Sequence, residues 1–174
     1  MDNLHTFQNY DQKGGNLKKD KYEVFNYEHN SGTIKHTFIK RQIPLKVEGV
    51  TYYDLITPGV CGGPVIAECQ EDEKWDLVYD FVQAFEEYCI KNNIVSEIIH
   101  FNPFLLNAVD FCEYYEIQCT KEFMLFLNKQ PIVTGNFKYC IGKKIWNEKI
   151  YRELCIKANM GASADEFPAY RTKY

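Results

Sequence analysis

Glu97 lies in the run Ile94-Val95-Ser96-Glu97-Ile98-Ile99-His100-Phe101, where a carboxylate has mostly apolar neighbours. Read as a strand, this run places Val95, Glu97, Ile99 and Phe101 on one face and Ile94, Ser96, Ile98 and His100 on the other. A carboxyl group held in apolar surroundings has a raised pKa and can act as a general base. The position equally suits a glutamate paired with Lys or Arg, or one on a face open to solvent. A second candidate is Tyr52-Tyr53-Asp54-Leu55-Ile56-Thr57-Pro58-Gly59-Val60-Cys61-Gly62-Gly63-Pro64. It begins with strand-forming side chains and then breaks, because Pro58 fixes one φ and the glycines permit positive φ. Such a loop can bring bare backbone N–H groups close to a ligand, or its glycines can serve only the steric needs of a tight turn. Neither nucleotide-binding fingerprint, G-x-G-x-x-G or G-x-x-x-x-G-K-[ST], is present. His36 alternates with Ile34 and Phe38 and is expected to be a packed or edge residue rather than a ligand or base.

The seven cysteines (61, 69, 89, 112, 119, 140 and 155) contain no C-x-x-C pair, so no zinc signature is visible and no metal is expected. Most sit in apolar patterns, where a free thiol packs as a small hydrophobe. With no basic-then-apolar segment at Met1 to Asn9, no signal peptide is expected. No apolar run approaches the ~20 residues that span a bilayer. Reduced thiols point to the cytoplasm.

The elements that must hold these groups read as follows. Residues 1–20 are polar and are expected to be a flexible segment, with 21–174 forming one domain. Tyr22 to His29 and Thr33 to Ile43 are strands joined by Asn30-Ser31-Gly32, and Pro44 ends the second. Val50 to Thr57 leads into the glycine loop, and Val65 to Ala67 is a short extended run. Asp72 is the expected N-cap of a helix from Glu73 to Lys91, whose core stripe is Trp75, Val78, Val82, Phe85 and Cys89, widened by Phe81, Tyr88 and Ile90. After the Glu97 strand, a short helix is expected from Phe104 to Tyr114, then extended runs at Tyr115–Thr120, Glu122–Leu127 and Phe137–Ile141. Asn147 caps a last helix over Glu148–Ala158. Interleaved strands and helices favour a mixed α/β sheet covered by helices.

The 174 residues suit one domain with a sizeable core, or at most two small ones. A net charge of −4 argues against nucleic acid or an anionic membrane surface as main partner. Lys18-Lys19 and Lys143-Lys144 are too short to reverse that.

Four phrases together resemble a known family. They are Asp54-Leu55-Ile56-Thr57-Pro58 with Gly62-Gly63-Pro64; Asn93 to Glu97 with Phe101-Asn102-Pro103; Ile141 to Ile145 with Asn147 to Tyr151; and Phe167 to Arg171. They resemble bacterial Fem-like proteins of the peptidoglycan-bridge type, built from GNAT-like (N-acetyltransferase) domains, over roughly 34–120 and 137–171. The resemblance implies an α/β (α+β) GNAT-like fold with a mixed, largely antiparallel sheet flanked by helices. It implies an acyl- or aminoacyl-transferase acting on a small-molecule or peptide amine, with an acyl-CoA or aminoacyl donor. The only nucleic acid it admits is a tRNA-linked donor. Asp54, Thr57, Pro58, Gly59, Gly62, Gly63 and Pro64 would shape the acceptor side, and Glu97 would position or deprotonate the amine. The chain departs from the family at Gly59-Val60-Cys61, where Tyr, Gly and Tyr are expected. It also has only about sixteen residues where the family carries a second GNAT-like unit and much of its donor site. The pyrophosphate loop Arg/Gln-x-x-Gly-x-Gly/Ala of an acetyl-CoA binder is absent. These departures support the alternative of a non-catalytic binding or assembly module, its exposed sheet edge covered by self-association as a homo-oligomer.

Overall fold

A computed structural model describes residues 22–119, 123–127, 130–135 and 140–161, with side chains described outside 120–139 and up to 158. The expected flexible segment 1–20, and the Phe167 to Arg171 phrase, lie outside the described residues. The chain runs β1 (Tyr22–His29), β2 (Gly32–Val47), β3 (Val50–Ile56), β4 (Gly63–Cys69), α1 (Lys74–Lys91), β5 (Ile94–His100), α2 (Asn107–Asp110), β6 (Glu116–Cys119), β7 (Phe123–Leu127), β8 (Gln130–Gly135), β9 (Cys140–Ile145) and α3 (Glu148–Gly161). Seven strands form a sheet in the order β1-β2-β3-β5-β9-β6, with β4 also paired to β2, and β7–β8 form a separate hairpin. Every pairing is antiparallel except β3 with β5, which are parallel and joined through α1. The fold is the expected mixed, largely antiparallel α+β sheet flanked by helices.

β2 is longer than its proline suggested. It passes through Pro44 to Val47, and the register with β3 shifts between Gln42 and Lys46. A proline is tolerated there because a bulge takes residues out of the hydrogen-bonded ladder. Glu48 (φ 51°) and Gly49 (φ 79°) then close the β2–β3 hairpin with two left-handed residues.

Helix α1 lies across one face of the sheet. It buries Leu77, Val78, Phe81, Val82, Phe85 and Cys89 against Ile34, Phe38, Leu55, Ile94, Ile99 and Phe101. Complete burial of each phenyl ring contributes about 1.5–3 kcal/mol. Trp75 is not in that stripe, since it is 55% exposed. The helix enters the core at Leu77, and a short 3-10 turn over Glu71–Glu73 precedes it. Asp72 is therefore not the N-cap. Glu73 holds that position and makes no side-chain capping bond. Ile90 is likewise exposed.

α3 covers one end of the opposite face, where Tyr151 and Leu154 pack on Ile43, Val47 and Val95. Asn147 caps it as expected, its Oδ1 accepting from the Ile150 N–H at 3.1 Å. The helix expected over 104–114 reduces to α2, because Leu106 adopts a left-handed φ of 54° just before it. The final strand is β9 at Cys140–Ile145 rather than Phe137–Ile141. Residues 136–139 lie outside the described residues.

Candidate functional site

β5 is flanked by β3 and β9 and is buried on both faces, as a run with so few polar residues requires. Its alternation is broken near the start. Val95 packs under α3 while Ile94, Ile99 and Phe101 pack under α1. The ladder with β3 skips a residue between Ile94 and Ser96. The Val95 carbonyl accepts from both Trp146 N–H and Asn147 N–H. Val95 therefore does not share the Glu97 face, contrary to simple alternation.

Glu97 is 1% exposed. Its Oε1 lies 2.5 Å from Nε2 of His36 on β2, and its Oε2 accepts from the Tyr115 hydroxyl at 3.0 Å. His36 is also fully buried, with its ring 5.0 Å from Phe85 and 5.3 Å from Phe38, centre to centre. With its proton on Nε2, His36 donates to the carboxylate and leaves Nδ1 as a bare, buried lone pair. Nδ1 has no hydrogen-bond partner. The partners of Glu97 are thus His36 and Tyr115, not Lys or Arg. Sequence alternation had placed His36 with Ile34 and Phe38. A polar ring committed to that face needs a buried partner, and that requirement is the one signal that could have paired it with Glu97.

Two groups near Glu97, Tyr115 and Cys89, hold their protons firmly. Burial, reinforced by the nearby Glu97 charge, pushes the Tyr115 hydroxyl well above its ordinary value of 10.0. The same two causes push the Cys89 thiol far above 9.0. Both groups hold protons more tightly folded than unfolded, so their stabilising contribution is complete below pH 9 and is lost as pH rises. Stability should fall by about 1.4 kcal/mol per pH unit for each such group once its unfolded form ionises. Cys89 enters from pH 9 and Tyr115 from pH 10. Urea unfolding at stepped pH should give a shallower decline between pH 9 and 10 for Cys89→Ala than for the parent chain. Identical slopes would refute the assignment.

The glycine loop interrupts what would otherwise be one strand line. β3 ends opposite Ile39 of β2, and β4 begins opposite Thr37. Between them the chain stays bonded to β5. Thr57 N–H donates to the Ile98 carbonyl, Thr57 Oγ1 accepts from His100 N–H, and Gly62 N–H donates to the His100 carbonyl. Carbonyls two residues apart thus receive N–H groups five residues apart, and Pro58 to Cys61 are ejected as a bulge, with Gly59 and Val60 exposed. Buried Asn107 clips the bulge down. Its Nδ2 donates to the Gly62 and Pro64 carbonyls, both at 2.9 Å, and its Oδ1 accepts from Asn102 N–H. Sequence reading missed Asn107, which fell inside an expected helix.

The expected site residues do not converge. Asp54 lies on the face away from Glu97 and forms a two-pronged pair with Arg41, at 3.0 and 2.6 Å. Thr57, Gly63 and Pro64 are buried in the loop's anchoring bonds. A shallow depression of about 160 Å³ is lined by Ile98, Glu116, Gln118, Ile141 and Lys143. It too lies on the face away from Glu97, and no residue of 57–64 lines it.

Cys119 and Cys140, direct partners across β6 and β9, are joined by a disulfide. The expectation of free thiols therefore fails at these two. A separation of 21 residues carries no pairing signal until the antiparallel register brings the two together. Among the described residues no group of three or more His, Cys, Asp or Glu side chains could hold a metal ion, and no helix is long and apolar enough to cross a membrane. The chain matches no family model, no curated protein and no solved structure.

Proposed function

We propose that this chain is a non-catalytic binding or assembly module on a Fem/GNAT-like fold. The observation that carries this reading is the closure of the parallel β3–β5 pair. A GNAT fold seats its cofactor where its parallel strands part in a V. Here Thr57 and Gly62 return to the Ile98 and His100 carbonyls and keep the two strands bonded. Glu97 is also beyond reach of an acceptor amine, since both carboxylate oxygens are engaged inside the core. A general base must approach the proton it removes to within ~3 Å. Assembly would run through self-association at β6, the last strand of the sheet among the described residues. Sedimentation velocity should detect a homo-oligomer, and calorimetric titration should show no heat with acetyl-CoA or longer acyl-CoAs. A strict monomer that binds acyl-CoA would overturn the reading.

One observation favours the transferase reading instead. The ejected residues Pro58 to Cys61 lie at the carboxyl end of β3, beside the carboxyl end of β5, where parallel strands commonly host ligands. On that reading the 57–64 loop receives a small-molecule or peptide amine, with an acyl-CoA or tRNA-linked aminoacyl donor. Turnover with either donor class would establish it. A cytoplasmic location is consistent with the five free cysteines, whereas the Cys119–Cys140 bond favours an oxidising compartment.

A further inference from the structure

The amino end of α1 and the segment around α2 form one surface, held together where Lys74 Nζ meets Asp110 Oδ1 at 2.5 Å. Trp75 and Val109 are the sequence neighbours of those two residues. Tyr79, one turn beyond Trp75, is close enough to Tyr114 to act on its hydroxyl electrostatically. Five large apolar side chains of these two segments are exposed: Trp75, Tyr79, Leu105, Leu106 and Val109 are each 52–62% exposed. Leu106 keeps its side chain outward from a left-handed backbone (φ 54°), a conformation that costs about 1–2 kcal/mol for a residue bearing a Cβ.

The surround of this surface is acidic. Residues 71–80 carry five acids and one lysine, a net −4 that equals the charge of the whole chain. Glu71, Asp72, Glu73 and Asp76 are exposed, as is Glu113 next to α2, while the single lysine is occupied by Asp110. That charge decides the occupant. A second copy of this chain docking face to face would set acid against acid, and an anionic bilayer would be repelled likewise. A partner with an apolar stripe bordered by Lys and Arg satisfies both features, the apolar centre by burial and the rim by charge.

We infer that the α1–α2 surface docks a basic amphipathic helical segment of another protein. This deepens the binding-module reading and rests on it, while using a surface apart from β6. The experiment uses the full chain and an 18-residue helical peptide of leucine and lysine only, with its leucines on one face. Trp75 is exposed and Trp146 is buried, so a change in tryptophan emission on titration reports this surface. The expected result is saturable binding with a blue-shifted emission, weakened about tenfold or more by raising salt from low to high. A Leu105→Asp/Val109→Asp variant and an Asp72→Lys/Glu73→Lys variant, both checked for retained fold by circular dichroism, should each bind about tenfold more weakly or less still. A scrambled peptide of the same composition should also bind at least about tenfold more weakly. Equal binding by the scrambled peptide or by the charge-reversed variant would overturn the inference. So would an emission shift caused by zwitterionic vesicles without any peptide response. A self-association that Leu105→Asp/Val109→Asp abolishes would overturn it in favour of a second copy. Failure of the parent chain to bind the peptide, with its β6-dependent oligomer intact, would sink this inference alone and leave the module reading standing.

Discussion

Replacing Glu97 with leucine is expected to lower the unfolding free energy by about 3–5 kcal/mol, enough to remove much of the stability of an ordinary domain. Leucine is close to glutamate in size, so a cavity contributes little. The loss comes from the partners. His36 Nε2 and the Tyr115 hydroxyl each give their hydrogen bond to this one carboxylate, and both sit where water does not reach. An orphaned buried donor costs about 1–3 kcal/mol, and His36 already carries one unpartnered nitrogen. Glu97→Gln should cost less, because the amide oxygen still accepts from Tyr115 and the amide N–H can donate to His36. It nevertheless forces the His36 proton onto Nδ1, which is buried without a hydrogen-bond partner. A catalytic Glu97 would give the reverse pattern, with activity lost in Glu97→Gln and stability unchanged. Guanidinium unfolding with matched m-values measures the loss. The triple variant Glu97→Leu/His36→Leu/Tyr115→Phe should regain most of what the single variant loses, since no polar group is then left unpaired. If the triple variant is as unstable as the single one, the hydrogen-bonded cluster is not the source.

That cluster marks the boundary of what local sequence signals could reveal. The α1 core stripe was legible because Val78, Val82, Phe85 and Cys89 repeat at helical spacing, and the β1–β2 turn was legible from Asn30-Ser31-Gly32. Trp75 fits the same spacing by arithmetic, yet it lies in the first turn of α1, ahead of the first buried residue, Leu77. Bulges were invisible for a different reason. Whether Pro44 ends β2, and which way Val95 faces, depend on hydrogen bonds to neighbouring strands rather than on the residues themselves. The Glu97–His36 contact spans 61 residues, and the Cys119–Cys140 bond needs the β6–β9 register. Glu97 could be seen to need a partner, whereas nothing marked Cys119 or Cys140 as paired, and only the assembled sheet selects either contact. The Phe104 to Tyr114 stretch failed through a single residue. Its apolar spacing is helical, but Leu106 leaves the helical region, and Leu105, Leu106 and Val109 are exposed.

The last prediction bears on the loop whose glycines invited a ligand. Gly63→Ala should cost about 2–5 kcal/mol, and Gly59→Ala only about 1–2 kcal/mol. Both glycines have positive φ, 84° and 70°, so each variant carries the same backbone penalty. They differ in surroundings. A Cβ on Gly63 would lie 2.7 Å from Cγ2 of Ile99 and 3.3 Å from Cδ1 of Phe101, both on the packed face of β5, whereas a Cβ on Gly59 meets nothing within 4 Å. Gly63 is therefore glycine because β4 must press against β5 beneath the bulge. Gly59 is glycine because the ejected chain reverses direction in open solvent. Asn107 completes this account by taking the Gly62 and Pro64 carbonyls for itself, which leaves those two carbonyls already engaged. Thermal or denaturant midpoints of the two variants decide the matter. Equal losses would mean that close packing does not select Gly63. A stable Gly59→Ala that fails to bind an amine acceptor recognised by the parent chain would return the loop to the transferase reading, because only backbone access at an exposed site would then have changed.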